Sequence, residues 1–167
     1  METLFEGSYI RNKDFAKEFF NYHAYRRPLG IFITVIGIWA IVTGIMCVIG
    51  QQYWAIFSIV LGVYLFILRE IRTRKSIKLM LERDKEGNHG NVVSVQNLVT
   101  ENAVISSINK VGTEYELSCI ERAYHSKNYI YLATKAKLVI VFDIHNFSKG
   151  SPEELIEFIS MKGIKVK

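Results

Sequence analysis

The chain lacks charge over one long stretch. From Leu29 to Leu68, 40 residues, there is no Asp, Glu, Lys, Arg or His, although 22% of all residues are charged. A buried helix of a soluble protein keeps a polar edge, so this stretch is not part of an ordinary soluble domain. The same absence bears on function. Proton relays, ion pathways and carriers of charged substrates depend on intramembrane carboxylates, histidines or arginines, so an anchor is favoured over a conduit.

Cysteine is scarce. Cys47 in the apolar run and Cys119 in a strand-like segment cannot found a disulfide framework, which fits a reducing, cytoplasmic tail. Catalytic signatures are missing as well. His23, His89, His125 and His145 are scattered, with no partner at metal-ligand spacing, and neither G-x-x-x-x-G-K nor G-x-G-x-x-G occurs. Ser118 and Cys119 have no nucleophile elbow around them, and Cys119 is expected to pack inward. Asp143 and His145, two apart on one strand face, come nearest to a catalytic pair, but alternate polar residues at a strand end are ordinary. The reading is of no enzyme, with no catalytic, cofactor-binding or metal-binding residue assigned. The net charge of +5 does not indicate nucleic acid, because after Gly90 nine basic residues face eight acidic ones.

What is present begins with two apolar runs. Leu29 to Ile49 is 21 residues, and a helix of that length covers a hydrocarbon layer of about 30 Å. After the polar break Gly50-Gln51-Gln52, Tyr53 to Leu68 is shorter and needs snorkelling by Arg69 and Arg72 to span. Together they predict a transmembrane helical hairpin over 29–68. A cleaved signal peptide fits poorly, since 28 residues precede the run, long for a leader's charged start, and no small-residue cleavage site closes it. Orientation follows from positive charge. Arg26 and Arg27 precede the first run; Arg69, Arg72, Arg74, Lys75 and Lys78 follow the second; the turn has none. Both termini are therefore expected in the cytoplasm, with the chain multi-pass in the inner or plasma membrane. Gly30, Gly37 and Gly44 recur every seven residues, opposite Ser58 and Gly62, as small residues do where membrane helices approach closely. That seam joins either the two helices or two copies in a homo-oligomer, unless the spacing only reflects how common glycine is in membrane helices.

The flanks have soluble character. Residues 1–28 predict a strand from Leu4 to Ile10, then an aromatic amphipathic helix from an Asn12 cap, its aromatic face either lying in the membrane interface or packing on the cytoplasmic domain. Residues 69–90 read as a basic juxtamembrane helix and a linker, Glu86 to Gly90. From 91 onward the period is two: strands are expected over Asn91–Val99, Ala103–Asn109, Glu114–Cys119, Tyr129–Thr134 and Leu138–Phe142, with Val111-Gly112-Thr113 as a separator. Ser151-Pro152-Glu153-Glu154 opens a helix through about Met161, with Gly163 closing it. The expected class is α+β, with a small antiparallel β sandwich or barrel covered by a C-terminal helix.

The order of these parts, from Asp14-Phe15 and Tyr22-His23 through two spans and a basic exit to Asn146-Phe147-Ser148-Lys149-Gly150-Ser151-Pro152-Glu153-Glu154-Leu155, resembles the bacterial YcxB-like membrane proteins over nearly the whole chain. The resemblance implies that 91–167 is a cytoplasmic pleckstrin-homology-like (PH-like) domain; it implies no established reaction. The chain departs from the family at Asp143-Ile144-His145-Asn146, where a proline and basic residues are usual, so an anion-binding role is not carried over to those positions. The expected function is a non-enzymatic module held in the lipid bilayer and binding a protein partner through the β-domain. The alternative is self-immunity against a membrane-active peptide or bacteriocin.

Overall fold

The structure, a computed structural model, describes residues 2–26, 28–50, 52–89, 92–108 and 111–166, without the side chains of residues 23, 25, 26 and 28. It is α+β and divides into two units, one formed by Met1–Arg11 with Asn91–Lys167, the other by Asn12–Gly90.

The first unit contains two sheets. Strand β1 (Thr3–Ile10) lies between β2 (Ser94–Thr100) and the short β8 (Phe147–Lys149), and the sheet continues through β3 (Ala103–Ile108) to β4 (Val111–Glu116). All its pairings are antiparallel. The second sheet runs β7 (Val139–Asp143), β6 (Tyr129–Thr134), β5 (Ile120–His125), β9 (Lys165–Val166), with β9 parallel to β5. Residues of period two put Phe5, Val99 and Val104 of the first sheet and Ile130, Leu132, Ile140 and Phe142 of the second into one core. Helix α4 (Pro152–Met161) contributes Leu155 and Ile159, both 0% exposed. Burying each contributes about 1.5–3 kcal/mol. Ser151 fixes where α4 begins: its Oγ accepts from the Glu154 N–H (3.3 Å) and the Glu154 carboxylate accepts from the Ser151 N–H (3.0 Å).

Two close approaches require glycine in this unit. Gly150 has φ +75°, and a Cβ there would collide with the Phe5 ring; at Gly7 a Cβ would meet the Phe142 ring at 3.2 Å.

Several expectations change in this unit. The N-terminal strand belongs to the β-unit and not to a separate segment with α1, because it forms a central strand between β2 and β8. Val111-Gly112-Thr113 is part of β4 and not a separator, and Asn109, the last residue of the strand expected over Ala103–Asn109, lies outside the described residues. The strand expected over Glu114–Cys119 ends at Glu116; Leu117–Cys119 is one 3-10 turn that keeps Leu117 buried and turns Cys119 outward, so Cys119 is exposed and not packed. Strands β8 and β9 have three and two residues, too short for a periodic signal.

Among the described residues the second unit holds three helices. Asn12 caps α1 (Lys13–Arg26), its Oδ1 accepting from the Phe15 N–H at 2.8 Å. Among the described residues, helix α2 (Pro28–Ile49) is the one helix that is long and apolar enough to cross a membrane, over Leu29–Ile49. Helix α3 (Ala55–Gly87) has 33 residues without a break, so the second apolar run and the basic exit are halves of a single helix. Neither proline falls inside it, and Gly87 ends it. The apolar half of α3 is 14 residues, Ala55 to Leu68, or about 21 Å of helix.

Helices α2 and α3 lie against each other where side chains are smallest. A Cβ on Gly37 would stand 2.9 Å from Phe66, one on Gly44 3.0 Å from the Ala55 carbonyl, and one on Gly62 2.8 Å from the Gly37 carbonyl. Helix α1 packs along α3. Phe15 and Ala16 are 2% and 0% exposed, so that part of the aromatic face expected at a membrane surface is buried in protein.

Candidate functional site

The candidate site is the surface of the helical unit: an apolar belt with aromatic residues at one end and cations at the other. Only 17% of the most apolar part of α2 is buried. Leu29, Phe32, Trp39 and Ile49 of α2 and Ile56, Phe57, Val60 and Ile67 of α3 stand in the open. At the turn between the helices Tyr53 is 98% exposed and Trp54 is largely so. Single exposed apolar residues mean little on a protein surface, but a contiguous belt over two helices marks a surface that meets something apolar.

The cations sit at the other end of α3. Arg72, Arg74, Lys75 and Lys78 are exposed. Arg74 pairs with Glu70 (2.8 Å) and Lys78 with Glu82 (3.6 Å), both i,i+4 pairs of about 0.3–0.5 kcal/mol at an exposed position. Arg69 differs. Its Nη1 donates across the helix pair to Thr34 Oγ1 (2.5 Å) and the Gly30 carbonyl (3.4 Å), and its guanidinium lies 5.6 Å from the Phe66 ring centre. Thr34 Oγ1 in turn donates to the Gly30 carbonyl (2.8 Å). Arg69 therefore ties α3 to the start of α2, a role its basic neighbours do not share and that sequence spacing does not reveal. The hydroxyl of Thr34, near the start of an apolar run, is the signal that could have suggested it. Arg26, for its side chain, and Arg27 lie outside the described residues.

Of the small residues, Gly30, Gly37, Gly44 and Gly62 are buried and Ser58 is half-buried. Gly37, Gly44 and Gly62 meet the facing helix directly.

Asp143 and His145 do not form a side-chain pair. Asp143 Oδ1 accepts from the backbone N–H of His145 (2.9 Å), and Oδ2 accepts from the Asn146 amide (2.9 Å), so the carboxylate closes the turn after β7 while His145 is exposed. Among the described residues no three His, Cys, Asp or Glu side chains come together as metal ligands would.

The chain matches no protein-family model, and no curated protein matches it.

Proposed function

We propose that the chain is a membrane-anchored, non-enzymatic interaction module, YcxB-like in architecture, that crosses the bilayer as a helical hairpin and presents a PH-like β-domain in the cytoplasm. One observation carries this reading: β1 and β2 are hydrogen-bonded neighbours although the whole helical unit lies between them in sequence. Ile10 is opposite Ser94, and the Arg11 N–H donates to the Val93 carbonyl at 3.0 Å. Strands that share a sheet share a compartment, so the segment between them crosses a membrane an even number of times. If α2 spans, α3 brings the chain back.

Other features support the same reading. A core helix of a soluble protein is mostly buried, and α2 is not. A signal sequence ending near Ile49 would be cut away together with β1, which is a central strand with Phe5 and Tyr9 buried. The shorter apolar half of α3 gains reach from the aromatic turn Tyr53-Trp54 and from exposed Arg72, whose side chain is long enough to snorkel. Cations at one end only favour that end inside. Two sheets around one core with α4 against it are consistent with a PH-like domain.

Thiol labelling tests the topology. In a Cys47→Ser, Cys119→Ser background, Tyr53→Cys is expected to react with a membrane-impermeant maleimide in intact cells. Native Cys119, exposed on the β-unit, is expected to react only after permeabilisation. Labelling of Cys119 in intact cells would reverse the orientation. For the interaction role, affinity purification of the intact chain in detergent is compared with residues 12–90 alone. A partner retained only by the intact chain supports it, and no partner in either case counts against it. A bait beginning at residue 91 would lack β1 and is unsuitable.

A further inference from the structure

We propose that the crevice where α1, α2 and α3 meet binds the phosphate of an anionic phospholipid headgroup; this rests on the membrane reading above. The crevice holds about 290 Å³. Small-molecule sites span about 300–1,000 Å³, so it admits a headgroup and leaves the acyl chains outside, along the apolar helices. Its polar side is Arg69, Arg72, Thr73 and Ser76 of α3. The spacing i, i+3, i+4, i+7 puts two guanidinium groups and two hydroxyls on a single helix face. Its apolar side includes Phe20 of α1 and Ile33 of α2.

Charge decides the class of ligand. Among the described lining residues there are two arginines and no carboxylate, and the neighbouring Glu70 is engaged by Arg74 and lines a different groove. A phosphodiester with net negative charge suits that lining, whereas the ammonium of a zwitterionic headgroup would be repelled by it. Geometry adds to this. Arg69 is already oriented by Thr34 and Gly30, so its planar guanidinium loses little further freedom on meeting a phosphate. Depth points to a lipid as the source: the crevice reaches Gly30, beside the first residue of the charge-free run, the level at which hydrocarbon gives way to headgroups. A free cytoplasmic anion has no use for an apolar wall there.

The test uses the whole protein in nanodiscs of phosphatidylcholine with and without phosphatidylglycerol, with retained lipid counted by native mass spectrometry. One phosphatidylglycerol is expected to stay bound. Arg72→Gln is expected to weaken retention about tenfold, the scale of one charge-assisted hydrogen bond, and Arg72→Lys by less. Arg83→Gln, on the same helix but away from the crevice, is expected to change nothing; circular dichroism checks that each variant keeps its helices. Equal losses for Arg72→Gln and Arg83→Gln would mean a diffuse surface field and would overturn the proposal. So would inorganic phosphate, added in lipid-free detergent, raising the melting temperature as much as phosphatidylglycerol does. Alkaline carbonate extraction of cell membranes separates the two readings. Protein released by carbonate removes both, while protein that stays inserted yet retains no phosphatidylglycerol removes this one alone.

Discussion

Asn97 is a single polar side chain that joins the two sheets. It is 0% exposed, and its amide donates to the Val141 carbonyl of β7 at 2.6 Å. Strand β7 is the edge of its sheet, so this carbonyl finds a partner that no further strand supplies. Asn97→Ala is expected to cost about 1–3 kcal/mol, since it leaves the carbonyl buried and unpaired. Asn97→Asp is expected to cost more, since it removes the donor and buries a charge. The denaturation midpoint of the whole chain in detergent, followed by circular dichroism, measures both; a wild-type midpoint in Asn97→Ala would show that water serves Val141 equally well. The alternation with Val95 and Val99 put Asn97 on the inward face, but its bond to Val141 was not legible, because nothing local names a partner on the other sheet. Ser151 is the contrary case. Its cap was readable from Ser-Pro-Glu-Glu, and Ser151→Ala is expected to lower stability by about 1 kcal/mol in the same measurement.

Between the helices α2 and α3 the deciding quantity is how near two backbones can come. Gly62→Val would place a side chain 2.6 Å from Ile41 and 2.8 Å from a backbone carbonyl that cannot move aside. The helices must then separate, at a cost of about 1–3 kcal/mol by the measure of overpacked cores. Gly50→Ala is the control, since its nearest neighbour would be 3.7 Å away. The expected outcome is a lower melting temperature in detergent for Gly62→Val and an unchanged one for Gly50→Ala. Equal melting temperatures would remove the seam from the stability of the unit. The seven-residue recurrence of glycine made a seam readable in the sequence. Cross-helix bonding by Arg69 was not readable, since the distance from Thr34 depends on how far one helix slides along the other. Strand limits in the β-unit were partly readable from turn residues and alternation: Tyr129–Thr134 has turn residues on both sides and kept its limits, whereas the turn at Leu117–Cys119 interrupts an alternation that continues through it in sequence.

At the scale of the molecule, the insertion of a helical unit between β1 and β2 defines what can be removed. Replacing residues 12–92 by a two-residue Asn-Gly turn would join Arg11 to Val93 and keep the register in which Ile10 is paired with Ser94. The product is expected to be water-soluble and to unfold cooperatively in urea. An aggregated or unstructured product would mean that the β-unit depends on the helices. Deleting Thr3–Ile10 from the whole chain is expected to expose the core around Phe142 and to make the β-unit sensitive to protease while the helical unit stays resistant. The partnership of β1 and β2 escaped the sequence reading for a plain reason: pairing leaves a local signature only when a short turn joins the strands, and here the turn is a whole unit.

That arrangement also sets an order of events during synthesis. Strand β1 leaves the ribosome first and has no neighbour until β2 follows 84 positions later, Ile10 to Ser94, about 4–17 s at ordinary elongation rates. On the proposed membrane reading, that interval is when the helices enter the bilayer. If α2 enters and α3 fails to return, β1 and β2 end on opposite sides and the sheet cannot close. Closure of the β-unit thus reports that insertion was correct, and a chain inserted wrongly keeps an unpaired strand that proteases can recognise.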